Sequence, residues 1–149
     1  MGREIERKFL VTSDAWRKDA AGMDIRQGYL SLDPARTVRV RLAGEEAWIT
    51  VKGLTRGATR DEFEYEIPAA DAAAMLDGLC SAVLEKTRHR VRFGGQTWEV
   101  DEFRGRHAGL VVAEIELESE GSTVKLPPWI GKEVTDDPAY YNSNLAQKP

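Results

Sequence analysis

Charged side chains recur at every second position in the strand-like segments of this chain. In the first segment, Glu4, Glu6 and Lys8 share one parity, and Ile5 and Phe9 share the other. Successive side chains of a β-strand point to opposite faces, so residues two apart lie on one face at a spacing of about 6.5 Å. One face of this segment is therefore ionic, whereas the other can bury apolar surface.

The same alternation predicts six further strands with a polar, mostly charged face and a more apolar opposite face. The positions on the polar faces are, in chain order, Arg39 and Arg41; Thr50 and Lys52; Glu62, Glu64 and Glu66; Lys86, Arg88 and Arg90; Glu99 and Asp101; and Glu114, Glu116 and Glu118. For any one strand, the simplest interpretation is an antiparallel sheet whose polar face meets water.

The sign of the charges favours a second interpretation. A solvated sheet face normally mixes both signs with neutral polar residues, because like charges side by side repel each other. Here Arg39 and Arg41 form a purely positive pair, whereas Glu62, Glu64 and Glu66 form a purely negative row. Such rows are tolerated when the charged faces of different strands point toward one another across an enclosed space, because acids of one strand then meet bases of another. The pattern therefore indicates a closed barrel with a charged lumen.

The central positions of these faces give a nearly neutral lumen. Carboxylate pairs suit Mg²⁺ or Mn²⁺, which prefer oxygen ligands. Arg and Lys suit phosphate oxygens. One or two bound divalent cations would leave the lumen positive, so the pattern predicts a site for a metal-bound polyphosphate. The seven acids are Glu4, Glu6, Glu62, Glu64, Asp101, Glu114 and Glu116, and the six bases are Lys8, Arg39, Arg41, Lys52, Lys86 and Arg88.

Helices are predicted in three connections around the barrel. Thr12 or Ser13 begins a short helix, and Pro68 begins a longer one over residues 68–79. A third helix starts near Pro138 and braces the barrel close to its mouth. The apolar stripe of the longer helix, which we expect to pack on the outside of the barrel, consists of Ala72, Met75, Leu76 and Leu79.

Length and composition limit the class of protein. A chain of 149 residues is expected to form a single domain over residues 1–149. Its net charge of −4 argues against a nucleic-acid partner, and it has no apolar run of membrane-spanning length, so no membrane partner is expected. The N-terminus lacks a signal-peptide core, and the lone Cys80 cannot form an internal disulfide. These features predict a cytoplasmic protein.

The charged motifs also carry a family resemblance. The chain resembles the CYTH family, also called the triphosphate tunnel metalloenzymes, in which Glu-x-Glu-x-Lys opens the first strand. Here that signature is Glu4, Glu6 and Lys8. Gln27, Gly28 and Tyr29 follow after the first loop, in a segment, residues 27–32, that is predicted as a second strand, and the later charge pairs follow in the family's order up to the closing GKEVTDDPAYYNSNLA. The resemblance implies an α+β, mainly β fold: a closed eight-stranded antiparallel β-barrel, or tunnel, with a few helices packed around it.

The resemblance further implies a role for each charged position. The principal metal ion would be held by Glu4, Glu114 and Glu116. A second metal ion, or its water, would be supported by Glu6, Glu62 and Glu64. Asp101 would be a further ligand or an outer-shell partner. The triphosphate would be gripped by Lys8, Arg39, Arg41, Lys52, Lys86 and Arg88. The implied catalytic set is Glu6, Glu62, Glu64 and Lys86.

The activity implied by the resemblance is a divalent-metal-dependent hydrolysis of a phosphoanhydride bond. The leading expectation is conversion of inorganic triphosphate, or tripolyphosphate, to pyrophosphate and phosphate with Mg²⁺ or Mn²⁺ as cofactor. The alternatives are a class IV type adenylate cyclase and a thiamine or nucleoside triphosphatase, for which Trp48, Trp98 and Trp129 are the available aromatics. A non-catalytic polyphosphate-binding module is less favoured, because every expected carboxylate pair is present. The family resemblance also suggests a homodimer.

Two polar positions fall outside the charged faces. His89 lies between Arg88 and Arg90, so it should point away from the lumen. Glu133 lies outside the regular alternation, and we leave open whether it is a surface residue or contacts the substrate.

Overall fold

A computed structural model describes residues 2–147 of the chain. The strands are β1 (Arg3–Val11), β2 (Ala21–Ser31), β3 (Arg36–Ala43), β4 (Glu46–Gly53), β5 (Thr59–Ile67), β6 (Ala82–Phe93), β7 (Gln96–Phe103), β8 (Val111–Glu116) and β9 (Ile130–Glu133). The α-helices are α1 (Ala69–Gly78) and α2 (Asn142–Gln147), and short 3₁₀ helices span Ala15–Asp19, Gly105–His107 and Pro138–Tyr140.

Eight strands close into an antiparallel barrel. Their order around the barrel is β5, β4, β3, β2, β6, β7, β8, β1, and β1 pairs with β5 through Arg3 opposite Asp61 to close the ring. The ninth strand, β9, pairs with β1 outside the ring, with Phe9 opposite Glu133. The predicted fold class, including the closure of the barrel, is confirmed.

A large part of the apolar core lies on the outer side of the barrel wall. The ring of Trp98 meets Phe9 at a centroid distance of 5.6 Å and Trp129 at 6.0 Å, both in edge-on arrangements. Trp16, in the first 3₁₀ helix, is buried in the same cluster. Because Trp98 and Trp129 are used in this packing, neither lines the barrel's interior.

The imidazole of His89 also belongs to the outer surface. It lies 4.9 Å from the ring of Trp16, measured between centroids, and its Nε2 lies 3.4 Å from the carboxylate of Glu102. The prediction that His89 points away from the lumen is therefore confirmed.

Helix α1 covers the outer face of β3 and β4. Ala72 and Leu76 are buried against Val40 and Ala47. Leu79 was predicted to belong to this apolar stripe, and that prediction is wrong, since Leu79 is 69% exposed. The reason is that α1 ends at Gly78, so Leu79 no longer follows the helical spacing.

Helix α2 covers one end of the barrel. Its residue Leu145 is buried with Leu84 and Phe103. These two strand residues lie two positions from Lys86 and Asp101 and share their strand faces, so the lumen becomes apolar at this end. The C-terminal helix thus braces the barrel, as predicted. It forms an apolar floor beneath the charged interior, whereas we expected it close to the mouth. Within residues 2–147, no helix combines the length and apolar character needed to cross a membrane.

Candidate active site

The barrel encloses a cavity of about 680 Å³. The alternation within each strand brings eleven of the thirteen charged residues predicted for the site to its wall. These are Glu4, Glu6, Lys8, Arg39, Arg41, Lys52, Glu62, Glu64, Arg88, Glu114 and Glu116. The other two, Lys86 and Asp101, are buried behind the wall.

One group of charges joins β1, β4 and β5. The ammonium group of Lys52 lies 3.1 Å from both carboxylate oxygens of Glu4 and 3.4 Å from the carboxylate of Glu62. Burial acts to raise the pKa of Glu4, but the charge of Lys52 together with hydrogen bonds to Glu62 and Lys52 holds that pKa below its ordinary value. Burial and the charge of Glu4 raise the pKa of Glu62. Lys52 thus pairs with both carboxylates, and it offsets the negative charge of Glu62 less than that of Glu4.

A second group lies where β1 pairs with β8. Lys8 Nζ lies 3.7 Å from one carboxylate oxygen of Glu114, and Arg88 Nη2 lies 3.8 Å from the other. Although burial acts to raise the pKa of Glu114, Lys8 and Arg88 lower it to about 2. Glu114 therefore stays ionised between two bases.

Glu6 has no comparable compensation. It stands directly opposite Glu116 in the pairing of β1 with β8. Burial raises its pKa to about 8, helped by the negative charges of Glu114 and Glu4. Like charges in a low-dielectric cavity repel strongly, so this part of the wall favours a bound proton or a bound cation.

Arg39 presents an unsatisfied donor. Its Nη2 donates to Thr50 Oγ1 at 3.2 Å and lies 3.5 Å from the carboxylate of Glu64, which also accepts a hydrogen bond of 2.8 Å from Thr50. The buried Nε–H of Arg39 has no hydrogen-bond partner among the described residues. Because a buried donor without a partner is costly, this group is suited to an acceptor that arrives with a ligand.

Asp101 holds two bases behind the cavity wall. Arg88 donates two hydrogen bonds to its carboxylate, at 2.8 and 2.9 Å, and Lys86 Nζ donates a third at 2.7 Å. Burial acts to raise the pKa of Asp101, but these partners lower it well below its usual range. Burial lowers the pKa of Lys86 to about 7. Asp101 is thus placed to fix the side chain of Arg88, whose guanidinium reaches the cavity.

Several uncharged or unassigned residues also line the cavity. They include Tyr29, Trp48, Arg60, Tyr141 and Asn142. A search for alternating charge misses Tyr29 because β2 carries few charges, and it misses Asn142 because this residue belongs to a helix. Arg90 and Glu99 share the lumen parity in the sequence, and both line the cavity.

The donor set fits a hard divalent cation. Within residues 2–147, no three His, Cys, Asp or Glu side chains converge closely enough to hold a metal ion. Glu4 pairs with Lys52, and Glu114 lies near Lys8 and Arg88. Yet the cavity lining offers carboxylate oxygens and includes no His or Cys among the described residues, which suits Mg²⁺ or Mn²⁺. A cation near Glu6 would relieve the repulsion described above.

The fold and site define an antiparallel barrel with an ionic interior built from paired acids and bases. Residues 2–145 match the CYTH domain, and the chain belongs to this family. The family is metal-dependent.

Two relatives and one solved structure are similar to this chain over nearly its whole length. An inorganic triphosphatase of Acetivibrio thermocellus is 51% identical over 150 residues, covering 100% of this chain and 96% of the relative. An inorganic triphosphatase of Nitrosomonas europaea is 35% identical over 148 residues, covering 96% of each. A crystal structure of an inorganic triphosphatase matches with a TM-score of 0.69 and 33% identity, covering 98% of this chain and 95% of the other.

Proposed function

We propose that this protein is a divalent-metal-dependent triphosphatase that hydrolyses inorganic triphosphate to pyrophosphate and phosphate. The observation that carries the proposal is the cavity, in which bases, among them Arg39 with a buried Nε–H that lacks a partner in the described part of the chain, face crowded carboxylates. A compact polyanion would satisfy the bases, and a divalent cation would satisfy the acids. The similarity to two inorganic triphosphatases along the whole chain supports the same conclusion.

The phosphate groups would bind to the basic part of the wall. Arg39 offers its unpartnered Nε–H, and Arg41 offers a guanidinium that no carboxylate of residues 2–147 pairs with. Lys8 completes this set with an ammonium group held between Glu114 and the carbonyl oxygen of Tyr140. Arginine forks and a lysine point charge bind phosphate oxygens by charge-assisted hydrogen bonds.

The acidic part of the wall would hold the cofactor. Following the resemblance to the family, we assign Glu4, Glu114 and Glu116 to one metal ion and Glu6, Glu62 and Glu64 to a second metal ion or its water. All six carboxylates line the same cavity, which supports a shared site. A bound Mg²⁺ or Mn²⁺ would neutralise phosphoryl oxygens and acidify the attacking water. Asp101 would act from behind the wall, since both its oxygens already accept bonds from Lys86 and Arg88.

The chain's own part in hydrolysis would be to position groups and balance charge. The bases hold the triphosphate chain, and the carboxylates of Glu6, Glu62 and Glu64 accept hydrogen bonds from water beside it. No His or Cys lines the cavity in the described part of the chain, so water rather than one of these side chains would be the nucleophile. Lys86, predicted as catalytic from the sequence, would act indirectly by helping to hold Asp101.

The proposal also covers the organisation of the protein. We propose that the whole chain is one domain, because β1 pairs with β8 and α2 packs on β6. The homodimer and the cytoplasmic location stay predictions. Light scattering in solution would test the first, and subcellular fractionation would test the second.

A second candidate activity uses an organic triphosphate. Of the three tryptophans considered for a base-binding pocket, Trp48 lines the cavity, and its aromatic face is suited to stacking with a nucleobase or a thiazolium ring. This observation favours a nucleoside or thiamine triphosphatase, or a class IV type adenylate cyclase, as the alternative.

Product analysis separates these activities. The purified protein is offered inorganic triphosphate, ATP and thiamine triphosphate side by side, first with Mg²⁺ and then with Mn²⁺. We expect rapid phosphate release from inorganic triphosphate and little from the others. Cyclic AMP with pyrophosphate from ATP would instead identify a cyclase. Tight triphosphate binding without turnover would leave only a binding function.

A further inference from the structure

Arg41 differs from the other five bases predicted for the site. Each of the other five pairs with at least one carboxylate, whereas Arg41 forms no ion pair within residues 2–147. The pairs of the other five are Lys8 with Glu114, Arg39 with Glu64, Lys52 with Glu4, Lys86 with Asp101 and Arg88 with Asp101. Arg41 therefore keeps an uncompensated positive charge at the cavity wall.

A neutral side chain fixes this guanidinium instead. The carboxamide oxygen of Gln27 accepts two hydrogen bonds from Arg41, from Nε at 3.0 Å and from Nη2 at 2.9 Å. Gln27 is completely buried, and its amide nitrogen donates to the hydroxyl of Tyr29 at 3.2 Å. An amide can orient an arginine without cancelling its charge, which a carboxylate cannot do.

The same amide network reaches α2. Asn142, the first residue of that helix, accepts a hydrogen bond from Lys86 Nζ at 2.9 Å and one from Gln27 Nε2 at 3.4 Å on its Oδ1. Asparagine at a helix start commonly caps the helix. Here no bond from its carboxamide to the backbone of α2 is found among the described residues, and its oxygen faces the barrel interior.

We propose that Asn142 is a positioning residue whose carboxamide joins the C-terminal helix to Gln27 and Lys86, and through Gln27 sets the orientation of the uncompensated Arg41 guanidinium. Two consequences follow. Packing of α2 on the barrel orients the basic side chains that would bind a polyanion. Because the groups that link α2 to Arg41 are uncharged carboxamides, the positive charge of Arg41 stays available for phosphate. The catalytic consequence rests on the proposed function, but the structural link does not.

The test compares Asn142→Ala with a matched control, Asn144→Ala. Asn144 lies in the same helix and donates a hydrogen bond to the carbonyl oxygen of Pro138 at 2.8 Å, away from the cavity bases. Both variants lose one asparagine hydrogen-bonding group from α2, but only the first removes a contact to Lys86 and Gln27. Asn142→Asp keeps acceptor oxygens in place but adds a negative charge beside Lys86, so it separates the effect of the acceptor from the effect of neutrality.

The first measurement is the NMR signal of the Arg41 Nε–H, assigned by its loss in Arg41→Lys. We expect this proton to exchange faster with water and its signal to shift in Asn142→Ala, to stay unchanged in Asn144→Ala, and to return toward the parent position in Asn142→Asp. An unchanged signal in Asn142→Ala, or an equal change in Asn144→Ala, would overturn the inference.

The second measurement is the KM for inorganic triphosphate. We expect Asn142→Ala to raise KM about tenfold, on the order of one lost hydrogen bond, with a smaller change in kcat. Asn144→Ala should change neither by more than about twofold. If the parent protein neither binds nor hydrolyses triphosphate, the proposed function fails, and the NMR measurement alone still decides whether Asn142 positions Arg41.

Discussion

Glu6 lies directly opposite Glu116 in the antiparallel pairing of β1 with β8. Two carboxylates at such a cross-strand position repel each other. Glu116 is exposed, whereas Glu6 lies deeper in the cavity, where the negative charges of Glu114 and Glu4 act on it. The raised pKa of Glu6, about 8, has burial as its main cause and the neighbouring acids as its second. This cluster of acids therefore lowers the stability of the metal-free protein and at the same time provides an acidic site.

Glu6→Gln should therefore stabilise the metal-free protein and impair the enzyme. With a folded-state pKa of about 8 against an ordinary value of 4.5, Glu6 must take up a proton when the metal-free protein folds at neutral pH, and this costs stability. Glutamine removes that cost at nearly constant volume, so we expect a higher Tm at neutral pH in the presence of chelator. We expect kcat for triphosphate to fall by about 10- to 100-fold, on the order of the loss of a group that orients a metal site. Thermal unfolding and steady-state kinetics measure the two effects.

Glu118→Gln is the control for that experiment, since Glu118 has the same parity but is exposed and does not line the cavity. It should alter neither Tm nor kcat appreciably. Retention of full activity in Glu6→Gln would remove Glu6 from the metal and water site.

Removal of divalent metal should abolish hydrolysis reversibly. We expect EDTA to stop phosphate release from inorganic triphosphate, and an excess of Mg²⁺ or Mn²⁺ to restore it, because the crowded carboxylates need a cation before a polyanion can enter. Comparison of the two metals identifies the preferred cofactor. Phosphate release that continues in EDTA would contradict the metal-dependent mechanism.

Arg39→Ala should weaken triphosphate binding. The change removes the buried Nε–H that has no partner in the described part of the chain, and a hydrogen bond to a charged group contributes about 2 kcal/mol, or about 30-fold in affinity. Calorimetric titration with inorganic triphosphate measures the loss. Arg36→Ala is the control because Arg36 is exposed on the same strand and pairs with Asp33. Equal affinities in both variants would show that Arg39 does not bind the substrate.

Asp101→Asn should destabilise the fold. Asp101 is completely buried and is the common partner of Lys86 and Arg88. Its replacement leaves the buried Lys86 without a carboxylate partner among the described residues and leaves Arg88 with only its longer contacts to Glu99 and Glu114. Removing one member of a buried ion pair costs about 3–5 kcal/mol. Urea unfolding of Asp101→Asn should show a loss of this order.

Glu102→Gln tests whether burial is the cause of that loss. Glu102 pairs with Arg17 on the outer surface, and solvent screening limits such a pair to about 1 kcal/mol or less. If both variants lose the same small free energy of unfolding, the buried network contributes no special stability.

The pair of Arg7 and Glu133 should make stability depend on pH on the acid side. Arg7 donates two hydrogen bonds to Glu133, at 2.9 and 2.7 Å, and these lower the pKa of Glu133 below its ordinary value of 4.5. Because the pKa is lowered in the folded state, the pair stabilises the fold above pH 4.5 and loses this effect as pH falls through the lower folded-state value.

Glu133→Gln removes the titrating group of that pair. We expect its free energy of unfolding to lie slightly below that of the parent near neutral pH and to converge with it as pH falls. The difference is small because both side chains are partly exposed. A constant difference from neutral to acidic pH, measured by urea unfolding, would show that the effect is not electrostatic.

Strand parity accounts for how much of the site could be predicted from the sequence. The alternation of side chains along a strand is local, so a row such as Glu4, Glu6 and Lys8 reveals its shared face without knowledge of the neighbouring strands. Charges of opposite sign on different strands then indicated that the charged faces of those strands point toward one another. Both inferences agree with the barrel, whose cavity is lined by eleven of the thirteen expected residues.

The alternation of side chains along a strand predicts neither how deep a residue lies in the lumen nor which end of the barrel α2 covers. Lys86 and Arg88 share one strand face, yet Arg88 reaches the cavity whereas Lys86 is buried behind its wall. The difference arises because α2 packs over the end of the barrel where Lys86 lies, and no spacing within β6 reports that contact. Asn142 was missed for the same reason, as its role depends on residues far away in the sequence.

The sequence by itself therefore determined the charged strands, β1 and β3 to β8, and which of their faces carry charge, because both follow from the spacing of side chains along the chain. Its motifs also resemble the family to which the chain belongs. The tertiary structure alone decided that Trp48 reaches the cavity while Trp98 and Trp129 are packed outside it. It also decided that Gln27 accepts hydrogen bonds from Arg41 and that Asn142 accepts one from Lys86. These contacts join residues distant in sequence, and only closure of the barrel and seating of α2 bring them together.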